Sequence, residues 1–272
     1  HMIKAVKHEQ FDQCFYHANE ALLTFEAHVV PYSTPERYYI YINNAINAAM
    51  FIKDLAAVEQ LFDKLQQLPP SLLQDQFYRQ RILMLQADWY ATTANTTKGL
   101  QLLEEVAALT EKEHQYRYFI QFNMARLLFV NADYPQVIDW LDRLIETEGH
   151  QFYGLRKSSE IMRLLAFYEQ GEYRLVESLA RALYRRLHKH PNTDQAALTF
   201  VKGLQHLSAH SPDRRPAQLT QLQTALQQVA PEADGLIRYF DYPAWVQAQL
   251  LGQDFGAVVR EALSQCQPPT TS

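Results

Sequence analysis

Between Lys157 and His190 the chain reads KSSEIMRLLAFYEQGEYRLVESLARALYRRLHKH. Ile161, Leu164, Leu165 and Tyr168 precede the junction Gln170-Gly171-Glu172-Tyr173, and Tyr173, Val176, Leu179, Ala180 and Leu183 follow it. Apolar residues spaced three and four apart put one apolar stripe on each run, so each run is an amphipathic helix. Gly171 lets the chain reverse at a helix end at low steric cost. The stretch is therefore a helical hairpin, and it sets the terms for the rest of the sequence.

Further runs of the same kind are expected over Phe11–Phe25, Glu36–Ile52, Leu55–Leu68, Ser71–Tyr90, Thr97–Leu109, Glu113–Val130 and Pro135–Glu146. After Pro191 come Asp194–Ala209, Ala217–Val229 and three shorter runs, Ala233–Tyr239, Pro243–Leu251 and Phe255–Gln265. Thr34-Pro35-Glu36 reads as an N-cap followed by proline at the first helical position. With 8 glycines and 12 prolines there is little material for the tight turns of an all-β chain, and a hydrophobic content of 47% excludes a disordered one. The residues opening each second helix, Phe11, Leu55, Thr96, Tyr134 and Tyr173, lie 44, 41, 38 and 39 residues apart. A recurring interval of this size is the mark of a helical repeat. The expected fold is all-α, a solenoid of antiparallel hairpins. Residues 1–190 would carry the hairpins, and 191–272 a C-terminal cap over the last apolar face.

Gln170-Gly171-Glu172-Tyr173 and Ala132-Asp133-Tyr134 resemble the turn of the tetratricopeptide repeat family, and Ala87 and Ala125 fall where that family places a small residue for close helix contact. Ile46 and Leu164 depart from the small residue, the family's tryptophan and Leu-Gly pair are absent, and the interval exceeds the family's usual period of about 34 residues. The resemblance covers about residues 9–190. Lys157–Leu204, with Phe200-Val201-Lys202-Gly203-Leu204, is also similar to the C-terminal repeats of a group of uncharacterised bacterial proteins of this type. The resemblance implies a right-handed superhelix whose first helices line a concave groove. Mapped onto this chain, it places Asn43, Asn44, Asn47 and Phe51 on that groove. It adds Arg81, Met84, Leu85 and Asp88, then Phe119, Phe122, Asn123, Arg126 and Phe129, and last Ile161, Met162, Leu165 and Tyr168. Asparagine amides can both donate to and accept from a peptide backbone, and Arg126 can pair with a carboxylate through two N–H groups. The plainer reading of Met84, Leu85 and Ile161 is that they are core.

Catalytic patterns are missing: there is no phosphate-binding glycine loop, no Gly-x-Ser-x-Gly elbow and no His-Glu-x-x-His helix. His206 and His210, four apart on one helix, have the spacing of a metal pair but no third ligand type beside them. Glu104-Glu105 and Glu111 with Glu113 read as solvated helix charges. Arg181, Arg185, Arg186 and Lys189 form a basic stripe, read either as a surface for an acidic or phosphorylated partner or as cations favoured near a helix C-terminus. Aromatic residues such as Tyr38, Tyr39, Tyr41, Phe77, Tyr78, Tyr116, Tyr118, Phe152 and Tyr153 gather at the starts of first helices, where they can wedge between hairpins.

A net charge of −5 gives no general attraction to nucleic acid. No apolar run reaches the length of a membrane span. The two cysteines, Cys14 and Cys266, read as free thiols of a reducing cytoplasm. His1-Met2 resembles the scar of a removed tag, so the natural start would lie elsewhere. The reading that follows is a scaffold or adaptor binding a protein or peptide segment in its groove, with no catalytic residue, cofactor or metal. A sensor whose curvature responds to a ligand, and an enzyme with a site enclosed by helices, are the alternatives.

Overall fold

The computed structural model describes residues 11–28, 33–110, 116–146, 153–190, 195–229 and 239–265. These residues form α-helices joined by short turns, with no strand among them. In chain order they are α1 (Phe11–His28), α2 (Pro35–Phe51), α3 (Leu55–Gln66), α4 (Pro70–Gln74), α5 (Gln76–Thr92), α6 (Thr96–Leu109), α7 (Tyr116–Val130) and α8 (Tyr134–Glu146). They continue as α9 (Tyr153–Glu169), α10 (Tyr173–His188), α11 (Gln195–Ala209), α12 (Arg215–Gln228), α13 (Tyr242–Leu251) and α14 (Phe255–Gln265). The all-α class is as expected. The long helix expected over Ser71–Tyr90 is instead two. Asp75 ends α4 in an extended conformation and caps α5, its Oδ1 accepting from the Phe77 and Tyr78 amides. The helix expected over Ala233–Tyr239 falls on residues outside those described, apart from Tyr239, which lies in a turn.

Contacts divide the chain into two compact units, 1–114 together with 261–272, and 115–260. The division does not follow the expected boundary at residue 190. In the first unit α1 packs on α2, α2 on α3 and on α5, and α5 on α6. Its core is built from Leu22, Ile42, Ile46, Val58 and Leu65 among others. Within the second unit each helix from α7 to α13 packs on its sequence neighbour, and α7 also meets α9. Phe129, Leu141, Ile161, Leu165, Val176, Phe200 and Trp245 share a single core there. Among the described residues no helix is long and apolar enough to cross a membrane.

One joint recurs. Lys53, Ala94, Ala132, Gly171 and Gly252 all have positive φ, between 54° and 81°. The amide just after each donates to the carbonyl five residues before it: Asp54 to Ala49, Asn95 to Tyr90, Asp133 to Leu128, Glu172 to Phe167 and Gln253 to Ala248. This is the left-handed helix stop that satisfies otherwise orphaned carbonyls. In the joints at 132 and 171 the opener of the next helix meets a ring five residues back. Tyr134 lies edge-on to Phe129 at 5.3 Å, and Tyr173 edge-on to Tyr168 at 5.1 Å. The recurrence extends to α13–α14, which the sequence reading assigned to a cap. The α11–α12 pair breaks the rule and turns through a short 3-10 segment at Pro212–Arg214.

Alanine at φ 57° carries a Cβ that this region disfavours. Ala132→Gly is therefore expected to stabilise the 115–260 unit by about 1 kcal/mol. A thermal melt that shows no rise in Tm would count against the strain.

Candidate functional site

The residues expected to line a groove separate into two groups. Phe122, Met162, Leu165 and Tyr168 are buried in the core of the second unit, as are Phe129 and Ile161. That corrects their assignment to an open surface: at 0% exposure Met162 and Leu165 have nothing to offer a partner. Asn123 and Arg126 are also buried, and the Arg126 guanidinium donates to Asn123 Oδ1 at 2.9 Å. Phe119 is half-buried against the same core.

At Tyr168 the cover is the chain's own α13. Asp241 caps it, accepting from the Ala244 amide at 3.0 Å, and Gly252 stops it at φ 61°. Tyr242, Trp245 and Gln249 follow at i, i+3 and i+7 and so share one face. The Trp245 ring meets Tyr168 of α9 at 5.4 Å and Phe200 of α11 at 6.0 Å, both nearly edge-on. Tyr242 lies 4.8 Å from Phe200, and its hydroxyl donates to the Ser158 carbonyl at 3.2 Å. On either side of α13, Phe240 and Phe255 stack on one another at 4.9 Å, and both meet Phe129 of α7.

Glu169, the last residue of α9, is the polar centre of this contact. Its Oε1 accepts from Trp245 Nε1 at 2.6 Å and from Gln249 Nε2 at 2.7 Å. Burial raises the Glu169 carboxyl above its ordinary range, and the indole hydrogen bond partly offsets that. Burial also pushes the Tyr168 hydroxyl up to about 12, with Arg215 acting in the opposite sense. Tyr134 is raised too, by burial first and then by the negative charges of Glu169 and Asp254. Arg215 stands over the Tyr173 ring at 3.5 Å.

A carboxyl whose pKa is higher in the folded than in the unfolded chain favours folding when protonated. Stability tied to Glu169 therefore falls as pH rises out of the ordinary carboxylate range and through the raised folded value. Glu169→Gln retains an acceptor for Trp245 and carries no charge. Its urea midpoint is expected to depend less on pH than the wild type's between about pH 4 and about pH 8. Parallel profiles for the two proteins would rule this out.

In the first unit the expected residues are placed otherwise. Asn43, Asn44, Asn47, Arg81 and Asp88 are all partly exposed, whereas Ile42, Ala45, Ile46, Ile82, Leu85 and Ala87 beside them are buried. Leu85 is thus core, and Met84 is half-buried. The Tyr39 hydroxyl donates to Asn43 Oδ1 at 3.4 Å, and the Tyr39 ring meets Tyr78 of α5 edge-on at 5.1 Å. Asn47 donates to the Asn43 carbonyl at 2.7 Å. The Arg81 guanidinium lies 4.0 Å from the centre of the Phe77 ring, which is 50% exposed.

The other signals resolve into structure. His210 Nδ1 contacts the His206 carbonyl at 2.6 Å, and no group of three metal-ligand side chains gathers among the described residues. Arg181 pairs with Glu177 at 2.5 Å and Arg186 with Glu160, leaving Arg185 and Lys189 on an exposed face. Glu105 pairs with Arg79 at 2.5 Å. Tyr38 and Tyr39 are buried wedges, Tyr38 stacking with Phe25 at 5.8 Å. Cys14 is buried, and Cys266, Phe152, Glu111 and Glu113 lie outside the described residues.

Sequence reasoning missed Glu169, Trp245 and Gln249. The signal was present in Asp241-Tyr242-Pro243, a capped helix start followed by Trp245 and Gln249 on the same face as Tyr242. Comparison of the chain with protein-family models, with curated proteins and with solved structures finds no match.

Proposed function

We propose that the chain is a binding protein: its hairpins stack as a right-handed, tetratricopeptide-like superhelix and α2 and α5 hold an extended protein or peptide segment. The observation that supports this reading most is the partial exposure of Asn43, Asn44, Asn47, Arg81 and Asp88 on two helices that pack together while their neighbours are buried. Half-exposed asparagines offer paired donors and acceptors to a backbone that has no secondary structure of its own. Phe77 beside Arg81 adds an apolar and cationic contact for a side chain.

Selection of a displayed random-peptide library on the full chain tests the proposal. The selected peptides should share a motif and should lose about tenfold or more in affinity for an Asn44→Ala, Asn47→Ala, Arg81→Ala triple variant, since each lost polar contact is worth about 1 kcal/mol. Equal binding to both proteins would place recognition elsewhere and end this assignment.

A further inference from the structure

The stretch that forms α10, α11 and α12, residues 173–228, carries eight Lys and Arg against three Asp and Glu, whereas the rest of the chain carries 17 against 27. Of those three acids, Glu177 is paired with Arg181, and Asp194 lies outside the described residues. Positive charge is thus segregated into three consecutive helices of a chain whose net charge is −5. At ordinary ionic strength, charges more than about 10 Å apart are largely screened. A partner at this surface therefore meets its local charge and not that of the whole chain.

Arg174, Arg181, Arg185 and Lys189 follow at i, i+7, i+11 and i+15. They form one row on the exposed side of α10, about 22 Å long at a helical rise of about 1.5 Å per residue. α11 packs on α10 and α12 on α11, and these add the exposed Lys202 and Arg214. Arg174, Arg185, Lys189, Lys202 and Arg214 form no ion pair among the described residues. The helix dipole accounts for cations in the last turn of α10. It does not account for Arg174 in the first turn of α10, or for Arg214 and Arg215 at the start of α12, where it opposes positive charge. Arg215 lies over the Tyr173 ring, so the two helix starts meet and this opposed charge gathers at one end of the row.

The same surface offers little to a docking helix or a lipid interface. Leu175 is the only large apolar side chain exposed on α10, α11 and α12 among the described residues. Helix docking and interfacial lipid binding both draw on buried apolar area. A phosphate backbone does not: it is held by charge neutralisation and counterion release. Gln221, Gln227 and Gln228, exposed on α12, add amide donors for phosphate and sugar oxygens.

We propose that α10, α11 and α12 form a binding surface for the sugar–phosphate backbone of a nucleic acid, with the row on α10 as its track and Lys202 and Arg214 beside it. Recognition here follows charge and not base sequence. This surface is separate from the α2–α5 face and stands or falls independently of it.

The test uses the full chain and short labelled probes of mixed sequence: single-stranded DNA, single-stranded RNA and duplex DNA. Fluorescence anisotropy is read between about 50 and about 200 mM salt. Binding should weaken with salt, with log affinity falling against log salt by about 0.7 for each phosphate neutralised on a single strand. The probe bound most tightly identifies which nucleic acid supplies the backbone. The triple variant Arg174→Gln, Arg185→Gln, Lys189→Gln should lose at least about tenfold in affinity at about 50 mM salt, and its salt slope should be shallower by about 2. Lys202→Gln with Arg214→Gln should lose about threefold or more. A control triple, Arg37→Gln, Lys98→Gln, Arg260→Gln, makes the same change in net charge at exposed positions elsewhere and should lose less than about twofold. All of these side chains are exposed, so every variant should keep the wild-type Tm.

Absence of binding at the lowest salt, an affinity independent of salt, or equal losses from the two triple variants overturns the proposal. No loss from the Lys202 and Arg214 pair overturns the part of it that includes α11 and α12. Tighter binding of polyglutamate than of every nucleic acid probe would assign the surface to an acidic protein segment. Tighter binding of vesicles containing phosphatidylserine would assign it to a membrane. Self-association that salt and the α10 triple variant both abolish would assign it to the acidic remainder of a second copy. Each of these three outcomes overturns a nucleic acid partner.

Discussion

Phe129→Ala is expected to lower the stability of the 115–260 unit by about 3–5 kcal/mol, the usual cost of truncating a large buried aromatic. Phe129 is 1% exposed and meets three rings, Tyr134, Phe240 and Phe255, at 5.1 to 5.6 Å. It therefore joins the end of α7 both to the opener of α8 and to the residues on either side of α13. Truncation empties a space that rings from three separate segments enclose, and those segments cannot close in without giving up their other contacts. Urea unfolding followed by far-ultraviolet circular dichroism would show a lowered midpoint. The control is Phe77→Ala, which removes a ring that is 50% exposed and should cost below about 1 kcal/mol. Similar losses for the two would show that the Phe129 ring cluster is not cooperative.

The second large effect comes from adding atoms. A Cβ built on Gly203 of α11 would lie 2.4 Å from Leu222 Cδ1 of α12. Both helices are regular there, so relief must come from the leucine or from moving the helices apart. Gly203→Ala is expected to cost about 1–3 kcal/mol. Leu222→Ala alone should cost about 2–5 kcal/mol, because Leu222 is buried. The double variant should cost less than the sum of the two by about 1–3 kcal/mol, since the new methyl group then enters the space that the leucine leaves. Strict additivity in denaturant titrations would mean that the close approach does not determine the spacing of this hairpin.

The hairpins were legible in the sequence because helix periodicity is local. Residues three and four apart report directly on a buried stripe, and Gly171 marked the reversal without reference to any other part of the chain. The break at Asp75 was not legible from periodicity, since apolar residues continue on both sides of it. The signal there was a capping side chain, which competes with helix continuation by accepting two amides. The site was harder still. Tyr168 is covered by the Trp245 ring, and Ser158 and Glu169 of the same helix bond to side chains from about 80 residues further along the chain. No pattern within α9 distinguishes an open face from one covered by a distant helix. Asn43, Asn44 and Asn47 were legible because polar residues inside an otherwise apolar helix stand out by themselves.

The joint at residues 53, 94, 132, 171 and 252 recurs in backbone geometry without recurring in sequence. Its hydrogen bond runs from backbone to backbone, and the residue at the bend is lysine, alanine, alanine, glycine and glycine in turn. What the five joints share is a torsion angle and a backbone bond, not a side chain. Five joints of one geometry thus share no residue type, so a reading of the letters at the bend has nothing in common to find.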